Sequence, residues 1–403
     1  MAQKPLERLE QFAIDVILER QYGKRAALLR LLLHALSKLY AVIIRLRCWA
    51  YRSKIVKWHH VGCRVISIGN LTVGGTGKTP VVEQFARTLT ASGRKVAILS
   101  RGYKSMPMPF WKRVWNSITF QKANLPPRIV SDGKATLLDP TVSGDEPFML
   151  ASNLEDVQVL VDKDRIKSAL YALRKFNIDT VLLDDGYQYL PFRERLNVVL
   201  VDRESPFGNE FLLPRGTLRE PHDHLRRADV ILITKCDGSD LSRLKARIRR
   251  YNTHAEMIEC THHPLYLKDL SSDKRLPLSY LQGRKIGAVA GIAVPRSFVR
   301  GVEGLGAEVI YERFYADHHY YTTKEIENAI ERTRARGGHA LITTEKDAVR
   351  FPLVDFQDMP VYFLKVEIKI LNSKESLEDC ILRISNSDRN SCLVHSAPFN
   401  SGL

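Results

Sequence analysis

A glycine-rich stretch between an apolar run and a helical pattern carries the clearest chemistry in this sequence. The apolar run is residues 65–68, and the helical pattern begins at residue 80. Glycines let the backbone curl so that successive N–H groups point into one anion-sized cavity, and the start of the next helix adds its positive dipole end. The residues expected to bind phosphates are Gly74, Gly75, Thr76, Gly77, Lys78 and Thr79. The pattern predicts a P-loop.

In that loop Lys78 would reach the β- and γ-phosphates of a nucleotide, and the Thr79 hydroxyl would bind Mg²⁺. One position departs from the usual pattern, because Thr72 stands where a first glycine is expected. A flexible turn with a chance Gly-Lys-Thr is the alternative. The flanking strand and helix patterns favour the P-loop, but phosphate binding alone does not name a reaction.

Two acidic pairs lie where a P-loop protein would use them. Asp184 and Asp185 end an apolar run that begins at Thr180, and such acids hold Mg²⁺ directly or through water. Asp145 and Glu146 follow a glycine just before a helical pattern. A carboxylate there could accept a proton from an attacking hydroxyl, or it could simply cap the helix.

Three arginines stand at loop positions near these motifs. Arg101 and Arg165 each follow a strand-like run, and Arg219 lies in the proline-bounded loop 213–221. Near a phosphate site such cations clamp anionic groups. Elsewhere they form ordinary surface ion pairs.

The elements that must position these residues alternate between strand-like and helical patterns. Buried strands alternating with helices indicate the α/β class, with a mostly parallel sheet covered on both faces. We predict a P-loop NTPase-like core domain at 61–235 and a smaller α/β lid domain at 236–371. Residues 372–403 are predicted to form a short helix and a disordered tail.

Composition points to an anionic partner. The net charge is +16, and residues 1–60 alone hold 12 Lys and Arg against 4 Asp and Glu. Nucleic acid, an acidic membrane or a phosphorylated substrate would suit this excess. The six cysteines include no C-x-x-C pair, which argues against a zinc ribbon or a disulfide scaffold. The paired histidines (59/60, 262/263 and 318/319) lack metal-ligand spacing.

Residues 1–60 are predicted to associate with a membrane through an amphipathic helix at residues 26–50. Charges interrupt its apolar sequence, so we expect it to lie in the membrane interface rather than span the bilayer. Its polar arc comprises Arg30, His34, Ser37, Lys38 and Arg45. A helix packed on its own domain is the alternative, and the acids in residues 7–19 disfavour a mitochondrial presequence. Aromatic and basic residues at 104–128 suit a lipid interface, a nucleic-acid surface or ordinary packing.

Nine stretches in one order, from about residue 60 to residue 350, resemble the tetraacyldisaccharide 4'-kinases of lipid A biosynthesis. They are IGNLTVGGTGKTP at 68–80, SRGY at 100–103, VSDG at 130–133, GDEP at 144–147, LLDDGYQY at 182–189, LPRGTLREP at 213–221, AGIAVP at 290–295, ADHH at 316–319 and TTEKDAV at 343–349. Each is weak alone, but the ordered set is specific. A small hydroxyl residue at Thr72 then resembles the family's own variant.

The resemblance implies transfer of the ATP γ-phosphoryl group, with Mg²⁺, to the 4'-hydroxyl of an anionic glycolipid, a tetraacyldisaccharide 1-phosphate. Asp145 would be the catalytic base, with His318 as its partner and Asp317 beside it. Glu146 would join Asp184 and Asp185 around Mg²⁺. The family further implies the cytoplasmic face of a bacterial inner membrane, with an organelle membrane as the alternative. We also predict a monomer, which the resemblance does not establish. Tyr189 departs from the family, which often has histidine there.

Two other functions remain open at this stage. Thr234-Lys235-Cys236-Asp237 resembles a guanine-reading motif, which would suit a P-loop GTPase or a metallochaperone-like switch. Charge alone suggests a nucleic-acid-binding protein. The kinase interpretation includes no nucleic-acid partner.

Overall fold

The structure, a computed structural model, describes residues 5–102, 126–193, 195–272, 274–352, 359–371 and 375–386. The α-helices in these ranges are α1 (Pro5–Ile17), α2 (Lys24–Arg52), α3 (Lys78–Ala91), α4 (Pro140–Ser143), α5 (Asp145–Asn153), α6 (Arg165–Phe176), α7 (Ser242–Arg249), α8 (Pro295–Gly304), α9 (Thr323–Ala335), α10 (Glu345–Ala348) and α11 (Leu377–Asn386). Short 3-10 helices span His222–Arg227 and Leu278–Leu281. The predicted aromatic segment at 104–128 lies mostly outside the described residues.

The strands are β1 (Arg64–Asn70), β2 (Val96–Ser100), β3 (Arg128–Asp132), β4 (Gln158–Val161), β5 (Thr180–Asp184), β6 (Leu196–Asp202), β7 (Val230–Thr234), β8 (Glu256–Asp269), β9 (Arg275–Leu276), β10 (Lys285–Ala290), β11 (Glu308–Phe314), β12 (Ala340–Thr344) and β13 (Val361–Ile370). They form one sheet in the order β11-β10-β12-β13-β8-β7-β6-β1-β5-β2-β4-β3, with β9 added against β8. The pairs β3–β4, β8–β13 and β8–β9 are antiparallel, and the other pairs are parallel. The predicted α/β class with a mostly parallel sheet is confirmed.

The long strand β8 joins the two halves of the sheet. Its first residues, from Glu256 to Glu259, pair with β7, and the rest pairs with β13. The sheet bulges between Lys365 and Val366, opposite Pro264, where the proline cannot donate to the ladder. The predicted lid is therefore attached to the core through a shared strand, and α11 returns to pack on α3. The domain boundary at residue 235 itself stays a prediction.

The centre of the first half is packed as the apolar runs predict. Ile66 and Ile68 of β1 are fully buried against Val82 and Phe85 of α3. The register pairs Ile68 with Asp184 of β5. Because neighbouring parallel strands end at the same edge of the sheet, the loop after β1 and the acids at the end of β5 are brought side by side.

Helix α2 packs on the core along one narrow face. The Ser37 hydroxyl donates to the Leu212 carbonyl (3.0 Å), and the Tyr40 hydroxyl donates to the Arg219 carbonyl (2.9 Å). Part of the predicted polar arc thus faces the protein, while Lys38 and Arg45 are exposed. The opposite face exposes large apolar side chains, among them Leu28, Leu31, Leu32, Leu39, Leu46 and Trp49. By length and composition alone, α2 is apolar enough to cross a membrane.

Candidate functional site: a P-loop facing an aspartate–histidine pair

The loop between β1 and α3 has the backbone shape that the glycines predict. Gly77, at the start of α3, has φ of 78°, and a Cβ placed there would lie 2.4 Å from His262 Nε2. The loop is held from outside, since the Val73 N–H donates to the Thr217 carbonyl at 2.7 Å. Thr72, the departure from the usual pattern, is buried, and its carbonyl accepts from the Asn70 side chain at 2.8 Å. A hydroxyl residue is therefore accommodated in this loop.

Lys78 lies between the loop and the acids at the end of β5. Its Nζ is 3.4 Å from Asn70 Oδ1 and 3.8 Å from Asp185 Oδ1. Only 11% of the side chain is exposed, so the ammonium is already turned into the site. A polyphosphate entering the loop would meet a cation that needs little reorganisation to bind it.

The two acids at the end of β5, Asp184 in the strand and Asp185 just after it, differ in their surroundings. Asp184 Oδ2 accepts from the Ser100 hydroxyl at 3.0 Å, but Oδ1 is buried with no hydrogen-bond partner among the described residues. Burial, together with the nearby Glu146 and Asp185 carboxylates, raises the pKa of Asp184. Asp185 also loses hydration by burial, yet Lys78 and Arg219 lower its pKa below the usual value. Lys78 and Arg165 offset part of the increase at Asp184, but among the described residues no group bonds directly to Asp184 Oδ1, and a divalent cation would supply that direct partner.

Asp145 begins α5 and is held by three side chains from the second half of the chain. Its Oδ2 lies 2.9 Å from His318 Nδ1 and 3.4 Å from Arg350 Nε, and its Oδ1 accepts from the Tyr320 hydroxyl at 3.1 Å. Burial alone would raise the pKa of Asp145, but these three neighbours lower it overall. The structure thus brings together the predicted Asp145 and His318, which lie 173 positions apart.

Lys346 links this pair to the acids around the P-loop. Its Nζ lies 3.3 Å from His318 Nε2, 3.3 Å from Asp317 Oδ1 and 3.7 Å from Glu146 Oε1. Glu146 in turn is close enough to raise the pKa of Asp184. The predicted acids Glu146 and Asp317 therefore border one site, together with Lys346.

Sequence reasoning assigned no role to Lys346, Tyr320 or Arg350. Lys346 stands inside the TTEKDAV stretch, and Tyr320 follows ADHH directly, so their position in those motifs was the available signal. Arg350 comes just after TTEKDAV and has no such marker. Its side chain is fully buried against Asp145 and Asp347, which only the fold reveals.

The three arginines predicted to bind substrate differ in how far they are buried and in what they contact. Arg219 makes two short bonds to the Asp185 carboxylate, at 2.8 and 2.6 Å. Arg165 is buried and donates to the Asp184 and Asp185 carbonyls, while stacking on the Tyr189 ring. Arg101 is exposed at the end of β2. Direct contact of these arginines with a ligand stays a prediction.

The stretch that resembles a guanine-binding motif, residues 234–237, forms ion pairs with neighbouring residues. Lys235 bonds to Asp202, and the Asp237 carboxylate lies 2.7 Å from the Arg203 guanidinium. A carboxylate that reads guanine must be available to the base. Here Asp237 is paired with Arg203 and accepts from the Ser239 N–H at 3.0 Å, although 59% of its side chain is still exposed, so these contacts alone do not decide against guanine binding.

The P-loop fold and this combination of a phosphate-binding lysine, strand-end aspartates and a paired carboxylate define a P-loop kinase. The family model for tetraacyldisaccharide-1-P 4'-kinase matches residues 29–386. The chain belongs to that family, whose members are phosphotransferases acting on a hydroxyl group. The predicted family is confirmed.

Individual relatives agree with the family match. The chain is 36% identical over 381 residues to a tetraacyldisaccharide 4'-kinase from Halothermothrix orenii, covering 90% of this chain and 95% of the relative. It is 40% identical over 291 residues to one from Anaeromyxobacter sp. (strain K), covering 72% of each. A crystal structure of LpxK from Aquifex aeolicus in complex with ATP superposes with a TM-score of 0.67 at 28% identity, covering 88% of this chain and 99% of that one.

Proposed function

We propose that this protein transfers the γ-phosphoryl group of ATP to the 4'-hydroxyl of a membrane-held tetraacyldisaccharide 1-phosphate. The observation that supports this most strongly is the contact between Asp145 and His318 beside the P-loop (2.9 Å), since it puts a hydrogen-bonded carboxylate next to a phosphate site. Membership of the tetraacyldisaccharide-1-P 4'-kinase family supports this acceptor, and the ATP complex of the Aquifex aeolicus relative supports ATP as the donor.

The P-loop and Lys78 would bind the triphosphate, and Asp145 would act on the sugar. As the 4'-oxygen forms its bond to the γ-phosphorus, the bond from that phosphorus to the β,γ-bridging oxygen breaks and ADP leaves. The hydroxyl proton passes to Asp145. His318, Tyr320 and Arg350 orient this carboxylate and keep it ionised until the proton arrives. Catalysis of phosphoryl transfer is otherwise mostly positioning and charge neutralisation.

The donor set suits Mg²⁺. The buried, unpartnered oxygen of Asp184 needs a positive partner, and the neighbouring Asp185, Glu146 and Thr79 supply further oxygen ligands of the kind that Mg²⁺ prefers. Bound there with the nucleotide, Mg²⁺ would neutralise charge on the phosphates. Lys78 and Arg219 balance the remaining negative charge of Asp185.

The direct test is incubation of the purified protein with ATP, Mg²⁺ and the disaccharide 1-phosphate lipid, followed by mass spectrometry of the lipid. We expect one added phosphate, at the 4'-position, with stoichiometric ADP. Chelation with EDTA should abolish the product, and excess Mg²⁺ should restore it. GTP-specific turnover with no lipid product would instead favour the switch-protein hypothesis.

We place the protein on the cytoplasmic face of a bacterial inner membrane as a monomer, with α2 lying on the surface. ATP is available on that side. The contacts of Ser37, Tyr40 and Cys48 hold a stretch of α2 against the core, whereas its outward face is apolar and exposed. A helix held in this way can place its apolar face in the acyl boundary while the site reaches the headgroups.

Replacing Leu31 and Leu39 with serine should weaken vesicle binding about 100-fold. These side chains are 68% and 59% exposed, and losing each forfeits about 1.5 kcal/mol of burial in lipid. Vesicle co-sedimentation measures the partition. The matched control replaces Leu137 and Leu265, exposed leucines outside α2, with serine and should bind as the wild type does. Equal losses in both variants would contradict docking through α2.

A further inference from the structure

A cavity of about 210 Å³ lies where the end of α2 meets the segment 190–197 and the 3-10 helix His222–Arg227. It is separate from the P-loop. Asn197 lines the cavity at the start of β6, whereas Asn70, just before the P-loop, is level with Leu200. Asn197 lies three residues before Leu200, so the cavity is about 10 Å from the start of the P-loop, toward the N-terminal end of β6.

Five arginines line this cavity, which we call the arginine pocket: Arg52, Arg193, Arg195, Arg226 and Arg227. Arg227 is paired with Glu220, and Arg195 donates to backbone carbonyls such as that of Tyr187. The Arg52 and Arg226 guanidinium groups make no hydrogen bond or ion pair with the described part of the chain, although the Asp223 carboxylate acts on Arg52 from a longer distance. The acids close enough to raise the pKa of these arginines are Glu220, Asp223 and Asp229, so among the described residues five arginines face three acids and positive charge is in excess.

Burial and repulsion from neighbouring guanidinium groups lower the pKa of two of the five arginines, whereas the pKa of Arg227 is raised: burial alone would lower it, but Tyr187 and Glu220 outweigh that effect. Burial lowers the pKa of Arg52, and Arg226 and Arg227 lower it further. Burial and Arg227 lower the pKa of Arg195 to about 10. A bound anion would relieve this repulsion, and planar guanidinium groups match the oxygens of a phosphate.

A metal ion fits this place poorly, although three possible ligands meet beside it. Cys48, Glu220 and His224 bring ligand atoms within 4.8 Å of one another. However, His224 Nδ1 is 2.8 Å from Glu220 Oε2, a hydrogen-bond distance, and Arg227 bonds to that same oxygen. A cation would have to displace Arg227 and sit among the other arginines.

The surroundings of the pocket are apolar and aromatic. Leu46 and Trp49 on the outer face of α2 are 57% and 55% exposed, and Ile55 just beyond the helix is 63% exposed. Tyr51 and Trp58 line the cavity itself. Aromatic side chains beside exposed aliphatic ones are typical of the depth where lipid headgroups meet acyl chains.

We propose that the arginine pocket binds the phosphate group of an anionic membrane phospholipid next to α2, at a site separate from the P-loop. This inference rests on the membrane docking of α2 proposed above. The phosphodiester would lie between Arg52 and Arg226, with its acyl chains along the outer face of α2. Such a contact would fix the rotation of the helix on the membrane and thereby the direction in which the catalytic site faces.

The test measures binding to vesicles of neutral phosphatidylcholine, with and without phosphatidylglycerol, in the absence of ATP and of the disaccharide lipid. We expect the wild type to prefer the anionic vesicles. Arg52→Gln with Arg226→Gln should lower that preference about 10-fold and leave binding to neutral vesicles unchanged. Arg52→Lys with Arg226→Lys should retain most of it, which separates loss of charge from loss of folding.

The charge-matched control carries Arg300→Gln and Arg332→Gln, exposed positions on α8 and α9. It should keep the full preference. An equal loss in the control, or none in the pocket variant, would overturn the proposal, because the effect would then be diffuse. Displacement by millimolar inorganic phosphate would also overturn it, because that would point to a soluble anion. A separate series of vesicles carries the disaccharide 1-phosphate lipid in place of phosphatidylglycerol, and a preference seen only in that series would assign the pocket to the acceptor. Since no ATP is present, phosphoryl transfer can succeed or fail independently.

Discussion

Lys78→Ala should lower kcat by about 1,000-fold, the largest loss expected for any single substitution in this protein. The lysine is the cation that the structure already turns into the site, next to Asn70 and Asp185. Removing it deletes a positive charge where negative charge shifts during phosphoryl transfer, and single donors at such positions contribute about 100- to 1,000-fold. It also leaves the strand-end aspartates without their nearest ammonium, so ATP affinity should fall as well.

Steady-state kinetics with the lipid acceptor and calorimetric titration with ATP measure the two effects separately. Lys324→Ala, at an exposed position of α9, is the matched control and should behave as the wild type does. If Lys78→Ala retained more than a tenth of kcat, the P-loop would not be the phosphate site.

Local motifs explain why the P-loop half of the site could be predicted. Gly77, Lys78 and Thr79 lie within a few residues of one another, and their geometry follows from a strand, a turn and a helix start. The paired aspartates at the end of β5 were likewise predictable from one apolar run. Parallel neighbours end at a common edge, so the placement of Asp184 beside β1 needed no knowledge of distant contacts.

The other half of the site depends on contacts far apart in sequence. Arg350 lies 205 positions after Asp145, and nothing local marks it as its partner. Strand β8 was also missed, because Pro264 and two adjacent histidines break the usual strand pattern. Because β8 pairs with both β7 and β13, the two halves form one sheet, and residues 317–350 lie close to the P-loop.

A buried ion network connects the P-loop helix α3 with strand β13 and helix α10 of the second half of the chain. Lys365 of β13 lies 2.9 Å from Glu83 of α3, the helix that begins in the P-loop, and 2.8 Å from Glu345 at the start of α10. The next residue, Lys346, contacts His318 and Glu146. This network therefore connects α3 to the start of α10, where the next residue contacts the Asp145–His318 pair.

The second large effect concerns that pair. Asp145→Asn should lower kcat about 100- to 1,000-fold while ATP affinity changes less than about threefold, because the amide cannot accept the hydroxyl proton and no phosphate contact is lost. His318→Ala should lower kcat by a similar factor, since Asp145 would lose the closest of its three partners from the second half of the chain.

A double-mutant cycle separates a shared function from two independent ones. If His318 acts through Asp145, the double variant should be no slower than the slower single variant, whereas independent roles would multiply to at least about 10,000-fold. The exposed pair Asp240→Asn and His254→Ala supplies the control and should leave kcat unchanged. Wild-type turnover in Asp145→Asn would remove this carboxylate as the proton acceptor, and multiplicative losses would show that His318 contacts the reacting groups by itself.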